Sequence, residues 1–219
     1  MANTNRAFGF RPHSHVGGSP WNGATTLYAF SASDSTGAAY NGDVVQFDST
    51  NRTLALTDAY KPACPLVKAV VSGVTTTAIR GIVAGFIPEP EYSHSATASL
   101  GLMYRADDTK RYVWVVDDRS VVFTAQEDGN DYVSASDNSV GKTGDLVYAA
   151  GNANTGVSGV MLDSSDFATN AVRPFRCLRY TQTVDNFGFA ATDTNSYAKL
   201  DVVIWHSDLQ PTTTDYNGA

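Results

Sequence analysis

Several stretches of the chain place chemically capable residues at short spacing. His13 and His15, in His-Ser-His, would put both imidazoles on one side of an extended segment, a spacing that metals accept. The other two histidines, His94 and His206, are distant in sequence, and neither a Cys nor a carboxylate lies at ligand spacing near the pair. A hydrogen-bonded or exposed pair is the simpler reading, and no metal or other cofactor is expected. Ser139–Gly144 (SVGKTG) resembles the end of a phosphate loop, but the glycine required five positions before the Gly-Lys pair is Ser136. A polar turn fits that segment better.

Carboxylates could serve general acid–base work if two of them faced each other across a cleft. Asp107-Asp108 and Asp117-Asp118 flank the apolar run Tyr112–Val116, and Glu89 and Glu91 sit in IPEPEY. Aspartates at strand ends more often bond local backbone N–H groups, and no DxDxDG calcium loop or GxSxG elbow occurs. No catalytic residue is assigned, and the chain is not expected to be an enzyme.

The elements that must carry these residues are strands. Short runs of Val, Ile, Thr, Tyr and Phe alternate with clusters of Gly, Asn, Asp, Ser and Pro. Thr25–Ser31 (TTLYAFS) alternates, with Leu27 and Ala29 on one face and Tyr28 and Phe30 on the other. Strands near Val44–Phe47 and Arg52–Thr57 read as part of a meander, and Ala63–Val71 and Ala78–Phe86 continue it. Tyr112–Val116 (YVWVV) is bounded by charge and reads as a fully buried strand with Trp114 inside. Val121–Ala125 is expected to return as its hairpin partner across Asp117–Ser120. Asp131–Gly144 is polar and aperiodic. Leu146–Ala149, Val157–Leu162, Phe175–Gln182 and Lys199–His206 complete the strand set. The fold class is all-β, of jelly-roll or β-sandwich/barrel type. An extended N-terminal arm (residues 1–24) precedes a single domain (residues 25–208) and a polar C-terminal tail (residues 209–219).

The chain has 219 residues, 42% hydrophobic and 17% charged, which suits one globular domain with a core. Its formal net charge of -7 makes nucleic acid a poor partner, because no basic stripe is available to neutralise phosphates. The two cysteines, Cys64 and Cys177, lie in apolar surroundings and are expected to be buried thiols. The N-terminus lacks the apolar region of a secretory signal, and no apolar run reaches membrane-spanning length. Folding in a cytoplasm, away from membranes, is the expectation.

The segment Ala7–Gly23 (AFGFRPHSHVGGSPWNG) packs two Phe, a Trp, two Pro, two His and an Arg among glycines, with no hydrophobic period. Its residues Ala7, Phe8, Gly9, Phe10, Arg11, Pro12, His15, Gly17 and Gly18 resemble the N-terminus of small virion proteins of tailed bacteriophages, of the head decoration or cement type. Gly42–Val45, Gly81–Gly85, Tyr112–Asp118, Val121–Gly129 and Leu200–His206 resemble strands of the same group, in the same order. The loop Thr183–Tyr197 is longer than that resemblance accounts for.

The resemblance implies a β-rich structural protein on the outside of an icosahedral head, assembled in the host cytoplasm. Its partners would be the phage major capsid protein and further copies of itself, as dimer or trimer. Acidity favours that outer position, away from packaged DNA. An arm that staples neighbouring subunits needs aromatic and Arg anchors, and Phe8, Phe10, Arg11 and Trp21 fit. Phe187 and Phe189, in the long loop, are candidates for a second contact. The alternatives are another virion component, such as a tail or head fibre, and a carbohydrate-binding or hydrolytic β-domain. Tyr92, Tyr104, Phe187 and Phe189 would then stack on sugar rings. An N-terminal segment packed on its own domain is the alternative to the arm.

Overall fold

A computed structural model describes residues 4–48, 64–71, 78–87, 103–129, 139–169, 172–184, 186 and 197–209. In chain order the strands are β1 (Arg11–His15), β2 (Thr26–Phe30), β3 (Ala39–Tyr40), β4 (Val44–Phe47), β5 (Val67–Ala69), β6 (Gly81–Phe86) and β7 (Tyr104–Arg105). There follow β8 (Arg111–Val116), β9 (Val121–Gln126), β10 (Thr143–Gly144), β11 (Leu146–Val147), β12 (Met161–Leu162), β13 (Phe175–Tyr180) and β14 (Lys199–Ile204). The fold is all-β, with antiparallel sheets in a sandwich-like arrangement, as the alternating sequence requires. One 3-10 turn, Ser164–Asp166, is the only helical element among the described residues.

Two five-stranded sheets dominate, ordered β1-β9-β14-β13-β10 and β2-β8-β6-β4-β5. The second sheet curls on itself. Ala29 in β2 forms a parallel bridge with Leu66, next to β5, and its N–H donates to the Pro65 carbonyl at 3.1 Å. The result is a small barrel that leaves little free edge. Tyr28, Phe30, Val45, Val67, Ala69, Val83, Val113 and Val115 fill its interior. The faces read from TTLYAFS are the observed ones: Tyr28 and Phe30 point inward, and Leu27 and Ala29 pack outside with Cys64, Leu66 and Tyr112. In β6 the register against β8 shifts between Val83 and Gly85, so that Val83 and Phe86 lie opposite Val115 and Val113.

The two sheets share a second core. Val44, Ile82 and Val116, on the barrel's outer wall, pack on the inward residues Val121, Phe123, Ala125, Cys177, Leu200, Val202 and Ile204 of the first sheet. Guanidinium groups seal the barrel's interior. Arg105 lies over Phe30 at 5.1 Å, Arg111 over Phe86 at 5.5 Å and Arg80 over Phe47 at 4.9 Å. Arg105 is fully buried. It donates to the carbonyls of Ser31, Asp34, Gly37 and Thr109 and pairs with the Asp34 carboxylate at 3.3 Å. Burial pulls its pKa down, against the neighbouring charges of Asp34, Asp107 and Asp108.

Three expectations are corrected. β9 is not the hairpin partner of β8. Both edges of β8 are taken by β2 and β6, and the Asp117–Ser120 turn carries the chain into the other sheet, where β9 pairs with β1 and β14. Trp114 is not core: it is 40% exposed, on the barrel's outer wall. Its cross-strand partners are Leu27 and Gly85, and the first sheet covers only the Val116 end of that wall. Residues 4–24 do not form a separate arm, because Arg11–His15 pairs with β9 as a strand of the first sheet. The expected strand Arg52–Thr57 lies outside the described residues, as do Phe187, Phe189, Tyr92, Glu89, Glu91 and residues 210–219 of the tail.

Candidate binding site

The N-terminal segment is held by a crossing of two glycines. Gly9 (φ +69°) and Gly42 (φ +94°) both lie in the left-handed region. A Cβ on Gly9 would sit 2.6 Å from the Gly42 carbonyl oxygen and 2.6 Å from Ser158 Cβ. The Phe10 N–H donates to that same Gly42 carbonyl at 3.0 Å. Phe10 then drops into the shared core, 1% exposed, and stacks on Phe175 with 4.3 Å between ring centroids. Its assignment as a contact residue therefore meets a side chain already committed to the protein's own interior.

Phe8 and Arg11 stay at the surface, and the Arg11 guanidinium lies 4.9 Å above the Phe8 ring. Past His15 the chain doubles back: His15 N–H donates to the Ser19 carbonyl and Trp21 N–H to that of His13. Trp21 is thereby laid, half-buried, against the shared core. Upstream, the buried Gln126 ties down residues 4–6. Its amide donates to the Thr4 and Tyr197 carbonyls, and its oxygen accepts the Arg6 N–H at 2.9 Å.

Two concavities adjoin at Phe8 and Arg11. A cavity of about 280 Å³ is lined by Phe8, Phe10, Arg11, Pro12 and Trp21 together with Ala84. The four N-terminal residues singled out in the sequence thus converge on one place. On the other side lies an open groove of about 1430 Å³ over the outer face of the first sheet. Thr124, Gln126 and Lys199 lie along it, with the segment Thr4–Phe8 and the turn Asn152–Gly159 beside them.

Below the groove sits Asp201, 2% exposed on the outward side of β14. Arg179 Nε donates to it at 2.7 Å, Thr181 Oγ1 at 2.7 Å and Thr124 Oγ1 at 3.3 Å, and His13 Nε2 lies 3.3 Å away. This cluster escaped the sequence reading, although alternation in KLDVVI already places Lys199 and Asp201 together, opposite Leu200 and Val202. His15 turns elsewhere, to Ser120 Oγ at 3.1 Å and Asp118 at 3.8 Å. The two imidazoles therefore serve different carboxylates rather than one centre.

The other candidates are taken up by structural contacts, local and long-range. Asp117 accepts from Thr26 and Tyr28 hydroxyls, Asp118 from Ser120 N–H, and Asp107 from Gly37 and Asp108 N–H. SVGKTG is a turn, with Gly141 at φ +84°, feeding β10. Tyr104 stacks on Tyr40 at 5.2 Å. Asn186 links the end of β13 to the start of β14, donating to the Thr181 and Lys199 carbonyls and accepting Lys199 N–H. Both cysteines are buried and free, and burial with the nearby Asp201 pushes the Cys177 thiol up to about 12.

Asp43, in the turn crossed by Gly9, carries a buried carboxyl. It accepts Tyr40 N–H at 2.8 Å and bonds Ser158, while its second oxygen has no hydrogen-bond partner. Burial raises its pKa from 3.8 to about 6. The native state then holds the proton more tightly than the unfolded chain. Its contribution is fully present below pH ~4 and is lost as the pH rises through ~6. Replacing Asp43 with Asn removes that titration. The stability of the variant relative to the native protein should rise by roughly 2 kcal/mol between pH 4 and pH 7, whatever its offset at pH 4. Urea unfolding at the two pH values measures it, and a constant difference would show that Asp43 ionises normally.

The chain matches no family model, no curated protein and no solved structure. The fold and the surface around Phe8 and Arg11 are therefore what bear on its role.

Proposed function

We propose that this protein is a non-enzymatic structural component of a tailed-bacteriophage virion. It binds the outside of the icosahedral head as a decoration or cement protein, contacts the major capsid protein and associates with further copies of itself. One observation carries the reading: Phe8, Arg11 and Trp21, drawn from the segment that resembles such proteins, meet at the surface beside a small apolar cavity. Aromatic and arginine side chains around an apolar recess are the residues that dominate protein interfaces. The inward anchor Phe10 supports it further, because a contact segment fixed to its own core loses little freedom on binding.

Purified protein mixed with emptied phage shells tests the proposal. Sedimentation should carry it down at a fixed copy number per shell subunit. Phe8→Ala should weaken that binding by about thirtyfold, the size of one interface hot spot, with the melting temperature nearly unchanged. Protein that stays in the supernatant at saturating shell concentration would refute the assignment.

A further inference from the structure

We propose that the groove over the outer face of the first sheet receives an extended, carboxylate-rich segment of a partner protein. This rests on the reading that the molecule docks on another protein, and it specifies the chemistry of what it meets. The groove's volume, about 1430 Å³, exceeds the roughly 300–1,000 Å³ typical of small-molecule sites and suits a stretch of polymer. It runs over antiparallel strands, a surface along which an extended chain can lie.

Its charge selects the ligand. Among the described residues, the ionisable side chains lining it are Arg6, Arg11, His13 and Lys199, and none of its lining residues is a carboxylate. The whole chain carries 22 acidic against 15 Lys and Arg residues, so a cationic lining runs against its composition. Asp201, the carboxylate beneath, is shielded: it is 2% exposed and bonded by Arg179, Thr181 and Thr124. Arg179, paired with Asp201 through Nε, keeps 59% of its side chain exposed beside the groove. Complementary charge of this kind governs partner choice and encounter rate more than raw affinity.

Nucleic acid would also be attracted by these cations, but two observations favour a peptide. The net charge of -7 repels a long polyanion outside the groove. Among the described residues the groove offers one aromatic ring, Phe8, where single-stranded nucleic acid is held by successive stacked bases.

The test uses the full chain and three probes: a decapeptide of alternating Glu and Thr, the same peptide with Gln for Glu, and an oligothymidylate of equal length. Fluorescence anisotropy should show the Glu peptide binding at least about tenfold more tightly than the Gln peptide, and weakening as salt rises from low to physiological concentration. Arg6→Glu combined with Arg11→Glu, both at exposed positions, should abolish that preference without lowering the melting temperature. Arg119→Glu, on the exposed turn after β8, should leave it intact. Equal affinity for the two peptides, tighter binding of the oligothymidylate, or undiminished binding by the Arg6/Arg11 variant would each overturn the inference. No shell is present in these titrations, so failure to sediment with shells refutes the decoration reading and leaves the groove to be judged by the peptides.

Discussion

Gly9→Ala lowers the stability of the protein by about 3 kcal/mol, with contributions from backbone strain and from overpacking. A residue with a side chain pays roughly 1–2 kcal/mol to hold the left-handed conformation that Gly9 adopts at φ +69°. The new methyl group also meets the Gly42 carbonyl oxygen and Ser158 Cβ at 2.6 Å, and neither is the free end of a flexible side chain. Relief requires the segment to lift from Gly42, which strains the bond from Phe10 N–H and the stacking of Phe10 on Phe175. For a chain of this size the midpoint of thermal unfolding should fall by about 10 °C. Two controls separate the contributions. Gly18 (φ +89°) has open space around its Cβ position, so Gly18→Ala isolates the backbone cost. Gly17→Ala, with open space and no positive φ, should change stability by less than about 0.5 kcal/mol. If Gly9→Ala behaves like Gly17→Ala, the glycine crossing does not hold the N-terminal segment.

The second large effect belongs to Arg105. Arg105→Met keeps an apolar stem over Phe30 but removes every donor to the carbonyls of Ser31, Asp34, Gly37 and Thr109. It also leaves Asp34, 8% exposed, without its paired cation. Removing one partner of a buried ion pair costs about 3–5 kcal/mol, and the orphaned carbonyls act in the same direction. Arg105→Lys should recover only part of this, because one ammonium cannot reach carbonyls spread around a planar fork. Chemical unfolding of the three proteins measures the difference. A loss under about 1 kcal/mol for the Met variant would mean that water satisfies the loop carbonyls as well as the guanidinium does.

The strand class, and the faces of several strands, were written in local alternation. Thr25–Ser31 announces which side chains line the barrel, because a period of two needs no knowledge of neighbours. Turn chemistry was legible for the same reason at Asp107 and Asp118, which accept the Asp108 and Ser120 N–H groups, whereas Asp117 bonds the Thr26 and Tyr28 hydroxyls of β2, a long-range pairing that no local pattern shows. The concentration of aromatic residues, Arg, Pro and Gly in Ala7–Gly23 was also visible in the sequence.

Tertiary structure decided everything that depends on long-range partners. The run YVWVV looks uniformly buried, yet Trp114 is exposed, because burial of an outer-wall residue depends on whether another sheet lies over it. The turn Asp117–Ser120 could close a hairpin or switch sheets, and β2 and β6 settled the matter by occupying both edges of β8. Gly9 reads as one flexible residue until Gly42 is brought against it. Phe8 and Phe10 share an alternation and a residue type, but one remains at the surface while the other fills the core, since only the second meets Phe175. The groove likewise gathers Arg6, Arg11, His13 and Lys199 from opposite ends of the chain. Sequence sets the chemistry available to each residue; proximity between distant residues sets which of them share a surface, and that is a property of the packed sheets alone.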